Sequence, residues 1–101
     1  MAIAAAVLSG KIAGVIGCGA ATPNKEAYRA TEQSKFVYYG LVGDRDMNFL
    51  EMYILDDQLR NWKIPSRLQV FEAGHIWPEP QLLQQAVEWM EVQAMNRIFF
   101  F

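Results

Sequence analysis

Three short apolar runs, each closing on a glycine, constrain this chain more than any other feature: KIAGVIGCG at 11–19, KFVYYGLVG at 35–43 and SRLQVFEAG at 66–74. The first two are almost continuously apolar and rich in Ile, Val and aromatic residues, which suits strands buried within a sheet. The third alternates apolar and polar residues and also reads as a strand. Between the second and third runs the period becomes helical. Met52, Leu55, Leu59 and Trp62 recur at spacings of three, four and three, with Phe49 and Tyr53 widening the stripe. That predicts an amphipathic helix from Met47 to about Lys63, ending before Ile64-Pro65. A second helix follows the third run. Pro80 sits in its first turn, and Leu83, Ala86, Val87, Met90 and Ala94 share one face.

Two weaker helical segments complete the pass. Met1 to Leu8 is Ala-rich and stops at Ser9-Gly10, and Lys25 to about Thr31 follows a Thr-Pro-Asn turn signal. The terminal RIFFF is too apolar for a free tail and is expected to pack. The order is helix end, β, short α, β, α, β, α. Strands alternating with helices imply parallel pairing through right-handed crossovers. The predicted fold is therefore α/β: a three-stranded parallel sheet with flanking helices, in one domain spanning 1–101 or part of one.

Bulk composition narrows the function classes. A hydrophobic fraction of 52% in 101 residues argues for a packed core and against disorder. A formal charge of −2 gives no reason to expect nucleic acid or an anionic membrane surface as partner. No uncharged apolar run approaches the roughly 18 residues needed to span a bilayer. The single Cys18 cannot form an internal disulfide or a multi-cysteine zinc site, so a cytoplasmic setting is the default. The VIGC tetrapeptide near the start imitates a lipoprotein cleavage box. However, Met1 to Gly10 carry no charge and Lys11 falls where the apolar region should be unbroken.

Chemistry is expected where the parallel strands end, because open α/β sheets bind ligands at their carboxyl rim. Strand one ends at Gly17-Cys18-Gly19, strand two at Gly43-Asp44-Arg45-Asp46, and strand three at Gly74-His75. His75 is the only histidine in the chain. An acid after one strand and this imidazole after its neighbour are placed to meet. An aspartate there would hold the imidazole tautomer and stabilise the imidazolium formed in proton transfer. Blander roles stand beside this one. Aspartates after strands form turns and helix caps, and Asp46 precedes a helix. A lone histidine in a glycine-flanked loop is often a hydrogen-bonded surface group. Arg45 is expected to face solvent or a neighbouring carboxylate, Trp77 and Pro78 to shape the turn and pack over the histidine loop, and Cys18 to be a buried, inert thiol.

At these residues a family resemblance enters. KIAGVIGCGA, KFVYYGLVGDRDMNFLEM and RLQVFEAGHIWP, with the closing helix, resemble the C-terminal half of an α/β-hydrolase, nearest to bacterial esterases of the dienelactone-hydrolase and polyhydroxyalkanoate-depolymerase type. The likeness runs from Met1 to about Met95. It implies Asp46 as the triad acid, with Asp44 the alternative, and His75 as the triad base. It implies a carboxylic-ester hydrolase that uses no metal or cofactor.

The departure from that pattern is large. The family's Gly-x-Ser-x-Gly elbow precedes the acid and the histidine. Here Ser9, Ser34 and Ser66 are the only serines, none between glycines at that spacing, and Ile16 and Ala20 occupy the glycine positions around Cys18. The chain is thus expected to hold the acid–base part of a serine esterase and to be inactive alone. Expected partners are a complementary N-terminal hydrolase segment or a second copy, through the sheet edge that strand one would leave open. A non-catalytic α/β interaction or scaffold module is the alternative. A thiol enzyme pairing Cys18 with His75 is weaker, since a strand intervenes and contact would need a bent loop.

Overall fold

A computed structural model describes residues 13–19, 36–93 and 98–100. The expected helices at Met1–Leu8 and Lys25–Thr31, and Ala94 on the closing helix, lie outside the described residues. The elements run β1 (Ala13–Cys18), β2 (Phe36–Gly43), α1 (Phe49–Asn61), β3 (Ser66–Phe71), α2 (Pro80–Val92) and β4 (Ile98–Phe100). All strand pairings are parallel, in the order β3-β2-β1-β4. The α/β class and the parallel three-strand arrangement follow the sequence pattern. The fourth strand is an addition to it.

β2 is central and buried along its whole length. Successive side chains point to opposite faces, and each face has its own helix. Phe36, Tyr38 and Val42 pack with Val15 against Met52, Leu55 and Leu59 of α1. Val37, Tyr39 and Leu41 pack with Ile16 against Ala86 and Met90 of α2. This two-sided cover is why the strand reads as an unbroken apolar run. Leu59 and Met90 are fully buried, so truncating either to Ala costs about 2–5 kcal/mol.

The stripe on α1 divides unevenly. Met52, Leu55 and Leu59 are buried, Phe49 and Trp62 pack at the margin, and Tyr53 is exposed. The helix ends with Ile64 N–H bonded to Leu59 O and with Lys63 at φ 59, in the left-handed region that closes many helices. Pro80 opens α2 where a missing N–H costs nothing, with Glu79 as its extended N-cap.

The terminal apolar residues form β4, which lies beside β1 with Ile98 opposite Gly14 and Phe100 opposite Ile16. This corrects the expectation that β1 leaves its far edge open: β4 lies along that edge from Gly14 to Ile16. The outer side of β3 has no strand partner among the described residues.

Candidate active site

The carboxyl ends of β1, β2 and β3 bring three loops together. After β2, the chain turns through Asp44 and Arg45 to Asp46, whose N–H donates to Gly43 O at 3.0 Å. Asp46 Oδ1 accepts the Asn48 N–H at 2.8 Å, closing a side-chain turn just before α1. Its other oxygen, Oδ2, lies 2.8 Å from His75 Nδ1. A carboxylate can only accept, so Nδ1 is the donor, and in the neutral ring this leaves Nε2 without a proton, as a base requires. Asp46 therefore closes the turn with one oxygen and meets the imidazole with the other. The helix N-cap itself is Asn48.

The pair is asymmetric toward water. The Asp46 side chain is 1% exposed, that of His75 51%. A buried acid fixes the ring through Nδ1 while part of the imidazole stays open to an approaching group. His75 is the centre of a tight three-residue turn in which Ile76 N–H donates to Gly74 O at 3.0 Å.

Asp44 has a different occupation. Its Oδ1 accepts the Ala73 N–H at 3.1 Å, its own N–H donates to Phe71 O, and Arg45 N–H donates to Ala73 O. These bonds tie the β2 loop to the loop that carries His75. Gly43 permits this approach: a Cβ there would lie 2.4 Å from the carbonyl oxygens of Ala73 and Gly74. The Arg45 guanidinium is exposed, 3.6 Å from Asp44.

Sequence reasoning missed the contribution of β1. Gly19, at φ +63, bends back over the end of β2, with its N–H on Leu41 O at 2.9 Å. A Cβ on Gly19 would stand 2.6 Å from Asp46 Oδ2 and 3.2 Å from His75 Nδ1. Asn48 Nδ2 donates to Gly19 O and holds this turn against the start of α1. The bent loop that contact with β1 required is therefore present, but it delivers backbone to the pair. The Cys18 side chain packs on the α2 face of the sheet, and burial pushes its thiol up to about 11. At neutral pH that is a protonated, weakly nucleophilic thiol.

Ser66 is no nucleophile for this pair. It opens β3, at the end of the strand away from His75, and its Oγ is buried. Ser9 and Ser34 lie outside the described residues. The expectation that Trp77 packs over the histidine loop is also corrected: Pro78 is buried, but Trp77 is exposed. Met47, Leu50, Ile76 and Trp77 all leave large apolar side chains open to solvent within a few residues of Asp46 or His75 in the chain.

No group of three or more His, Cys, Asp or Glu among the described residues could hold a metal ion. No helix among them is long and apolar enough to cross a membrane. Comparison with known proteins finds no matching family model, no matching curated protein and no matching solved structure.

Proposed function

We propose that this chain supplies the acid–base part of a serine-esterase site, with His75 as the base and Asp46 as the acid that orients it. The reading rests on one observation above the others: a buried carboxylate 2.8 Å from Nδ1 of a half-exposed imidazole, the two at the ends of adjacent parallel strands. In this division of labour Nε2 takes the proton of an attacking hydroxyl and returns it to the leaving alcohol. The Asp46 carboxylate stabilises the imidazolium between these steps. Nothing in that sequence of transfers calls for a metal or a cofactor. The resemblance to α/β-hydrolases names the substrate class as a carboxylic ester. A reducing, cytoplasmic setting suits its unpaired thiol.

The hydroxyl and the oxyanion donors come from another polypeptide segment, a complementary N-terminal part of such a hydrolase. The exposed apolar residues Met47, Leu50, Ile76 and Trp77 support this, since a covering segment would remove them from water. Acid–base assistance by itself amounts to about 10²–10⁴-fold, well short of an esterase. A second reading, a non-catalytic α/β interaction module, is favoured by the lack of a serine beside His75 among the described residues.

The test uses p-nitrophenyl acetate. The chain alone is expected to hydrolyse it no faster than free imidazole does. Joined in frame to a hydrolase segment bearing a Gly-x-Ser-x-Gly elbow, it should turn over and lose that turnover with His75→Ala. Turnover by the chain alone that vanishes with His75→Ala would overturn the division of labour. Joined protein indifferent to His75→Ala would leave the interaction module as the reading.

A further inference from the structure

Among the described residues the sheet has two edge strands, the three-residue β4 and the six-residue β3, and β3 offers the longer unpaired ladder. Tyr38 N–H donates to Pro65 O and Asp44 N–H donates to Phe71 O. In a parallel ladder this places the backbone groups of residues 65, 67, 69 and 71 toward β2. Ser66, Leu68 and Val70 then turn both N–H and C=O outward. A groove flanks the edge on each face. On the α2 side, a cavity of about 530 Å³ is lined by Tyr39, Arg67, Gln69, Gln85 and Trp89. On the α1 side, one of about 290 Å³ is lined by Phe49, Tyr53, Asp57, Arg60, Leu68 and Val70.

An added strand would send alternate side chains into these two grooves while its backbone met the free ladder. We infer that the occupant is a second copy of this chain, with its own β3 running antiparallel about a twofold axis through Gln69. A twofold perpendicular to the sheet keeps each face on its own side, so paired residues must share parity. Centring on Gln69 pairs Leu68 with Val70 and Ser66 with residue 72. Leu68 and Val70 are both outward-turned positions within β3, able to exchange both backbone bonds. Centring one residue earlier pairs Ser66 with Val70. Centring one residue later sets Leu68 against Glu72. Only the register on Gln69 matches apolar to apolar at both central pairs.

The side chains agree with this choice. Val70 is 45% exposed in the single chain, and Tyr53 beside it is 57% exposed. Both would be covered. On the other face Gln69 meets Gln69 across the axis, and Arg67 lies opposite Phe71, so no like charges are set face to face on β3. The groove lip on α1 carries Asp56 and Asp57 as well as Arg60, with Asp56 and Arg60 paired at 3.1 Å, so each copy brings one acid in excess to a groove that also holds a cation. β3 also lacks the devices that blunt open edges. Its only charged residue is Arg67, and it has no inserted proline or bulge. The result is one continuous sheet across two copies.

This inference does not depend on the hydrolase reading, and its experiment reads association without any activity. Sedimentation equilibrium of the full chain should show a concentration-dependent dimer. Val70→Lys should weaken it at least about tenfold, and Val92→Lys, on the exposed flank of α2, should leave it unchanged. In a Cys18→Ser background, Gln69→Cys should cross-link into a disulfide dimer with oxidised glutathione, because non-hydrogen-bonded antiparallel partners have close Cα atoms. The cross-link keeps the test open if Val70→Lys perturbs folding. A monomer throughout, or a dimer that ignores Val70→Lys and fails to cross-link at 69, would overturn the inference.

Discussion

Asp46 Oδ2 and His75 Nδ1 stand 2.8 Å apart, joined from the ends of two adjacent strands, with the acid buried and the ring half in water. The short contact orders both loops as well as the ring, because Oδ1 of the same carboxylate closes the turn into α1. Removing the acid should therefore be felt twice.

Asp46→Ala frees the Asn48 N–H and the imidazole together, and should cost about 2–3 kcal/mol by denaturant unfolding. Asp46→Asn should cost less but blur the tautomer. Nitrogen NMR of the wild-type neutral ring should show the proton on Nδ1, and the asparagine variant a mixture. A wild-type ring protonated on Nε2 would refute the donor assignment.

Asp44→Ala separates the two acids. Its lost bond to Ala73 N–H should lower stability by about 1 kcal/mol and loosen the 73–75 loop in hydrogen exchange. The His75 tautomer should not change. A tautomer shift as large as that of Asp46→Asn would make Asp44 part of the pair.

Gly19→Ala places a methyl group 2.6 Å from Asp46 Oδ2 on a backbone at φ +63. Strain and crowding together should cost more than about 1 kcal/mol in thermal or denaturant unfolding. The Nδ1 proton resonance of His75 should move, since the carboxylate has to yield. Unchanged stability and an unchanged resonance would show that the β1 turn does not press on the pair.

Alkaline pH tests the buried groups behind the site. Burial raises the Cys18 thiol from 9.0 to about 11, so between these values it stays neutral in the fold while the unfolded chain ionises. The folded state then binds more protons, and stability falls as pH rises. This contribution is complete below about 9 and is lost through about 11. Burial also pushes the Tyr38 phenol upward, helped by the neighbouring Cys18 and Asp56 charges. Unfolding measured at about pH 8 and about pH 10 should show a loss that Cys18→Ala reduces without abolishing. The Tyr38 hydroxyl is buried with no partner among the described residues, so Tyr38→Phe should be neutral or stabilising by up to about 1 kcal/mol.

The sequence alone determined the alternation of strands and helices, the parallel order, and the arrival of an aspartate and the one histidine at the same rim. These are legible because side-chain period and glycine stops are local, and because parallel crossovers leave few topologies. Tertiary structure decided what local pattern could not. Asp44 and Asp46 are two residues apart in one turn, and their partners separate them: His75 and Asn48 for Asp46, the Ala73 N–H for Asp44. Gly19 reaches the pair through a backbone bend that no periodicity encodes. The terminal strand lies beside β1, and β3 has no strand on its outer side among the described residues, because pairing across some eighty residues is chosen by contact in space and carries no mark in neighbouring sequence.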